Sequence, residues 1–334
     1  MREVARRAEV SAASVSRALR RPATVSEDTL RRVNGAVAEL GYIYNAAAAD
    51  VSAGRSTVIG VLVPSVSNGL FGGTLHGIQD VAMTAGFSLM QGITHYDEAI
   101  ESRLLDSLLQ RRVRGLILTG LTLPQEERVE KLARETGLRV VVVWEKPRPG
   151  SVGYVGIDNR AAAAKAVNHL ISLGHRRIGI IVGPYALTRR TRHRLEGYRG
   201  ALEAAGLGFD PGLVIERNPE PVEGREAMER LLELPRPPSA VFAASDLLAI
   251  GALRAVHAAG LSIPDDVSIA GFDDIDLAAY QEPPLTTVRI DGYEIGRLAA
   301  QALIAAGDQS PRHYCLDTDL VIRSSTGPVR GARR

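Results

Sequence analysis

Six short apolar runs, separated by amphipathic stretches, limit what this chain can fold into more than any other feature. They are VIGVLV (58–63), GLILTG (115–120), VVVVW (140–144), IGIIVG (178–183), AVFAAS (240–245) and VSIAGF (267–272). Each has the length of a buried strand. Between them lie helical patterns such as SRLLDSLLQRR and GREAMERLLEL. Strand–helix alternation of this kind predicts a parallel sheet covered by helices on both faces. A chain of 334 residues has room for two such sheets, the second expected to start near Gly156. Open parallel sheets bind ligands at the carboxyl ends of their strands. The residues at those ends are polar: Ser65, Ser67, Thr119, Glu145, Ser245, Asp246, Asp273 and Asp274. For the acid pair in GFDD a helix N-cap is the alternative reading, and the residues alone leave both open.

Other functional classes find little support. No strand leads into GxGxxG, and neither GxxxxGK[ST] nor GxSxG occurs. The seven histidines and Cys315 do not fall at metal-ligand spacing, so no metal or other cofactor is expected. A single cysteine fits a reducing compartment. No apolar run approaches the roughly 20 residues of a membrane span, and MREVARRAEV lacks the apolar core of a secretion signal. A cytoplasmic location is expected.

Charge is unevenly placed. Residues 1–45 hold eight arginines against five acids, a balance of +3, which leaves −1 for the remainder of a chain whose net charge is +2. A basic head on a neutral body points to a polyanion. In that head Val4, Ala5 and Ala8 form an apolar stripe, with Arg6 and Arg7 on the other face. Ser11 offers an N-cap to a second helix, in which Val15 and Leu19 lie one turn apart. Only Glu9 to Ser11 remain for the joint, so the pattern predicts a helix-turn-helix. Small residues on the outer face let the backbone approach base edges. Ala12 and Ala13 suit thymine methyls, Arg17 a guanine, and Ser14 and Ser16 phosphates. Arg6 and Ser11 complete the candidate DNA contacts of the head. A plain helical hairpin with a solvated arginine face is the alternative on periodicity alone. A third helix follows, capped by Ser26, striped by Leu30, Val33, Val37 and Leu40, and stopped at Gly41.

The segments VARRAEVSAASVSRAL, VSEDTLRRVNGAVAELGY and YNAAAADVSAGRSTVIGVLVPSVSN resemble the LacI (lactose repressor) family of bacterial transcription regulators. The likeness runs from residue 2 to about residue 327. It implies an all-α helix-turn-helix head (1–44) and a hinge helix (45–57), in which Asn45 and Val51 meet the minor groove. It further implies an α/β core of two doubly wound lobes, similar to periplasmic binding proteins. The expected lobes are 58–155 with 290–316, and 156–289 with 317–327, followed by a basic tail at 328–334. Departures from the family pattern are Val51 for leucine, Tyr44 for proline, Asp50 near phosphate, and Glu9 for the turn glycine. A positive φ at Glu9 would cost about 1 kcal/mol. The threonine that caps the family's first helix is missing, which leaves room for a start codon upstream.

By position, Arg194 in RHRLEGY, Asp273 in GFDD and Ser245 in AASD fall where the family grips sugars. PSVSNGLF, RGLILTG, VVVWE and PPLTTVRIDGYEIG resemble the branch that includes gluconate-operon repressors, which adds Ser67, Phe71, Thr119, Trp144 and Glu145 to the candidates. ALTRRTRHRLEGY gathers Arg189, Arg190, Arg192 and Arg194 at a helix start beyond a strand. Such a start favours anions, and guanidinium groups hold carboxylates bidentately. The expected effector is therefore a sugar acid such as gluconate, with a phosphosugar as the alternative, held by Arg194 with Arg190 or Arg189 while Asp273 accepts hydroxyls. Plain surface charge stays open for Arg189, Arg190 and Arg192. A homodimer on a pseudo-palindromic operator is expected, with a higher oligomer left open; the helices around 72–86 and 246–259 are candidate interface faces, with burial inside each lobe as the alternative. The competing reading is a soluble sugar-binding protein of the transport type, which would share only the core.

Overall fold

The computed structural model describes residues 1–20, 22–44, 56–66, 69–186, 188–305 and 310–329. The expected contacts Asn45, Val51 and Ser67 lie outside them, as do most of the hinge segment and residues 330–334 of the tail. The chain divides into two compact units, Met1–Ser56 and Thr57–Arg334.

Among its described residues the first unit holds three α-helices, α1 (Arg2–Arg7), α2 (Ala12–Arg20) and α3 (Glu27–Leu40). Val4, Ala8, Val15, Ala18, Val33 and Ala36 meet in its small core. Ser11 Oγ accepts from the Ser14 amide at 3.0 Å, which fixes the start of α2. Ser26 caps α3 by accepting from the Thr29 amide. Gly41 ends that helix with φ +58°, a conformation that a Cβ would strain. The joint between α1 and α2 bends at Glu9, whose φ is +51°. Arg32 of α3 donates to the Glu9 carbonyl at 3.0 Å and to its carboxylate at 3.3 Å. The strained residue is thus held by the third helix.

The second unit contains two six-stranded sheets. The strands are β1 (Val58–Val63), β2 (Ser88–Ile93), β3 (Gly115–Thr119), β4 (Arg139–Val143), β5 (Gly153–Ile157), β6 (Ile178–Val182), β7 (Val214–Glu216), β8 (Ala240–Ala243), β9 (Ser268–Asp273), β10 (Thr286–Arg289), β11 (His313–Leu316) and β12 (Asp319–Val321). The first sheet has the order β11-β5-β4-β3-β1-β2 and is parallel throughout. The second runs β12-β10-β9-β8-β6-β7, parallel except for β12 against β10.

Helices cover both faces of each sheet, as the alternation of side chains requires. Val141 and Val143 face α4 (Gly69–Thr84) and α11 (Gly292–Ile304), whereas Val140 and Val142 face α5 (Glu98–Gln110) and α6 (Leu123–Thr136). In the second lobe Ile178 and Ile180 pack towards α7 (Asn159–Ser172) and α8 (Arg189–Ala204). Ile181 and Val241 pack towards α9 (Pro221–Leu232) and α10 (Asp246–Ala258). The alanine- and leucine-rich face of α10, a candidate interface, is spent inside its own lobe: Leu248, Ala249, Ala252 and Val256 are buried there.

The chain passes between the sheets three times, after β5, after β10, and between β11 and β12. The expected boundary at 155/156 falls inside β5. Gly156 and Ile157 pair with Cys315 and Leu316 of β11, so the whole strand belongs to the first sheet. The expected tail also begins within bonded chain, because the Val329 amide donates to Leu173 O at 3.0 Å. No helix among the described residues is long and apolar enough to cross a membrane.

Candidate DNA-binding surface and effector cavity

In the head, packing sorts α2 into two faces. Val15 and Ala18 are buried, whereas Ala12, Ala13 and Arg17 are exposed and Ser14 and Ser16 half-buried. Helical spacing puts Ala13 and Arg17 one turn apart on the outer face. Ser11 is engaged as the cap, and its hydroxyl lies 2.9 Å from that of Ser14. Arg7 pairs with Glu39 at 2.7 Å. Among the described residues neither Arg6 nor Arg17 forms an ion pair. The outer face thus presents two methyl groups and an uncommitted guanidinium, a set suited to base edges.

In the core, a narrow cavity lies between the carboxyl ends of the two sheets. Phe71, Tyr96 and Trp144 line it from the first lobe. Arg190, Thr191, Arg194, Ser245 and Asp273 line it from the second. Phe71 and Trp144 meet edge to face, with centroids 6.0 Å apart. Trp144 and Asp273 both hold positive φ, +73° and +124°, strain of the kind that gathers at binding sites.

Arg194 is held by partners within the chain. Its Nε donates to Asn159 Oδ1 at 3.0 Å, its Nη1 donates to Ala244 O at 2.7 Å, and its guanidinium lies over the Phe272 ring. Asp273 Oδ1 stands 3.7 Å from Nη1. Burial pulls Arg194 down to about 10, against the pull of Asp273. Burial pushes Asp273 up to about 6, with Arg194 opposing. Glu145 is pushed up to about 7 by burial, with Arg190 opposing. Arg190 donates to the Tyr96 hydroxyl at 2.8 Å and lies over the rings of Phe71 and Tyr96. It passes close to Gly120, whose φ is +64° and whose absent Cβ would sit 2.5 Å from Arg190 Nη1.

Several buried polar atoms in or near this cavity have no hydrogen-bond partner among the described residues. Trp144 Nε1, Arg190 Nη1, Ser245 Oγ and Asp273 Oδ1 belong to lining residues, whereas Thr119 Oγ1 and Glu145 Oε2, also expected in the site, lie outside the lining. Leaving such atoms unpaired is costly, so ordered water or a polar ligand must supply their partners.

The remaining expectations divide. Arg189 does not line the cavity; it donates to Glu126 Oε2 through Nε at 3.1 Å and Nη2 at 2.9 Å. Arg192 donates to the Tyr185 and Ala186 carbonyls, away from the lining. The two acids of GFDD part company: Asp274 pairs with Arg289 and Arg323, while Asp273 turns to the cavity. Neither caps a helix, since the short turn that follows is led by Ile275. Asp246 is structural, accepting from Thr287 Oγ1 at 2.6 Å and the Ile275 amide at 2.9 Å. Tyr96 and Pro219 line the cavity and were not expected. They follow β2 and β7, two strands whose sequences, SLMQGI and VIE, lack a long apolar run. Among the described residues no cluster of His, Cys, Asp and Glu could hold a metal ion.

Comparison with known proteins gives these two units a common setting. Residues 1–45 match the model for bacterial regulatory proteins of the lacI family, and residues 167–326 match the periplasmic binding protein-like domain. The HTH-type transcriptional repressor CytR of Escherichia coli (strain K12) is 36% identical over 333 residues, covering 98% of this chain and 96% of that one. The ribose operon repressor of the same strain is 34% identical over 304 residues, 91% of this chain and 92% of its own length. The structure of the lac repressor dimer bound to operator and the anti-inducer ONPF superposes with a TM-score of 0.81. It is 26% identical and covers 97% of this chain and 98% of the other. The chain therefore belongs to the lacI family of bacterial regulatory proteins, as a DNA-binding transcriptional regulator with a periplasmic-binding-protein-like effector core.

Proposed function

We propose that this regulator is a cytoplasmic repressor of a carbohydrate operon and that its effector is a small polyhydroxylated molecule seated between the lobes. An operon of this kind suits a chain similar to the ribose operon repressor. In this reading Ala12, Ala13 and Arg17 contact bases, and Arg6, Ser11, Ser14 and Ser16 contact phosphates. A homodimer places two heads on a pseudo-palindromic operator, with Asn45 and Val51 of each hinge at its centre.

The unpartnered polar atoms around the cavity carry the effector assignment. They include acceptors on Glu145 and Asp273 as well as donors on Trp144 and Arg190, and sugar hydroxyls serve both. The two carboxylates also oppose Arg190 and Arg194, which favours a neutral ligand. A sugar acid such as gluconate is the second reading, supported by the unpartnered Nη1 of Arg190.

Calorimetry with matched pairs, glucose against gluconate and ribose against ribonate, separates the two. Hydroxyls donating to Glu145 and Asp273 stabilise their ionised forms and lower their pKa values. A neutral sugar should therefore bind more tightly as pH rises through the window from about 6 to about 7. An anion beside the same carboxyls raises their pKa values, so its affinity should fall across that window. Binding of the acids alone, weakening as pH rises, would replace the neutral reading with the acidic one.

A further inference from the structure

The pairing that removes Arg189 from the cavity has its own place in the fold. Glu126 lies one turn into α6, a helix of the first lobe, and Arg189 opens α8 in the second lobe. The Glu126 side chain is 5% exposed and the Arg189 side chain 35%. The residues just before the two helices, Thr122 and Thr188, face each other in an isolated antiparallel bridge. Thr122 is fixed in turn by Glu101, whose Oε2 accepts from its amide at 3.1 Å and its hydroxyl at 2.8 Å. The next residue along α8 is Arg190, which reaches the first lobe at Tyr96.

We propose that Glu126 and Arg189 form a tie across the cleft that holds the two lobes closed and positions Arg190 in the effector cavity. The tie is built to be reversible. Arg148, which belongs to the first lobe, donates to the same Glu126 Oε2 at 2.9 Å. When the lobes part, Glu126 keeps that partner, and the half-exposed Arg189 passes into water. Neither charge is then left buried alone, which would otherwise make opening prohibitive. Two consecutive arginines thus divide the work, Arg189 setting the lobe equilibrium and Arg190 meeting the ligand. This rests on the reading of the cavity as an effector site, yet the tie is testable with no effector present.

The test uses the full chain with Cys315→Ser and spin labels at Glu98→Cys and Glu226→Cys, exposed positions on α5 and α9. Excess unlabelled chain is mixed in, so that only distances within one protomer are read. Without ligand, Arg189→Gln and Glu126→Gln should each raise the population with a long label separation by about tenfold. The double variant should go no further than either single one. Arg148→Gln, which leaves the cross-lobe contact in place, should keep the short separation. Unchanged separation in Arg189→Gln, or equal opening in Arg148→Gln, would overturn the tie. A failure of the neutral-sugar assignment would appear in calorimetry and leave these distances untouched.

Discussion

The arginines of the proposed DNA-binding face and those of the proposed effector cavity are set up by the fold in opposite ways. Arg17 stands exposed on α2 with no ion pair among the described residues, whereas Arg194 is buried and already engaged by Asn159, Ala244 and Asp273. An exposed guanidinium costs the fold nothing and keeps its donors for DNA. A buried one must be satisfied before any ligand arrives, so it becomes part of the wall and shapes the site. In the proposed reading the head is thus a surface completed by its partner, while the cavity is a framework with a few polar atoms left over for the ligand.

That contrast gives the largest expected effect at Arg194. Arg194→Ala should destabilise the core by about 3–5 kcal/mol, because Asp273 is left buried without its counter-charge. Urea unfolding of the core, followed apart from the head, measures this. A cost below about 0.5 kcal/mol, the usual scatter for surface changes, would break the comparison. Arg17→Ala should do the reverse, sparing stability while losing about 1–3 kcal/mol on the operator and relaxing one base position. Equal loss on operator and random duplex, read by fluorescence anisotropy, would reduce Arg17 to a phosphate contact. The smallest effect is expected at Glu9→Gly. Relief of the positive φ outweighs loss of the exposed pair with Arg32, for a net stabilisation of the head of at most about 1 kcal/mol. Thermal melting of the head would sharpen the comparison, and a destabilised variant would show that Arg32 holds the turn chiefly through the Glu9 carboxylate.

Much of this was legible in the residues. VVVVW reads as a strand because its apolar side chains run unbroken, and burial on both faces of a parallel sheet requires that. SLMQGI and VIE do not read so, being edge strands with polar or few side chains, and with them went Tyr96 and Pro219 at their carboxyl ends. The extent of β5 was equally hidden, since its last residues are claimed for the first sheet by β11, far along the chain.

By itself, then, the sequence determined what repeats locally: strands and helices from periodicity, caps at Ser11 and Ser26, the stop at Gly41, and the basic head from counted charge. Only the tertiary structure decided which charge does what. Spacing along α8 puts Arg190 and Arg194 on one face and turns Arg189 aside, but cannot say which face looks into a cavity. That was settled by Glu126, Tyr96 and Asp273, which reach α8 from distant parts of the chain. An arginine's role follows from the carboxylate or ring that packing brings to it, and packing joins residues that no local pattern connects.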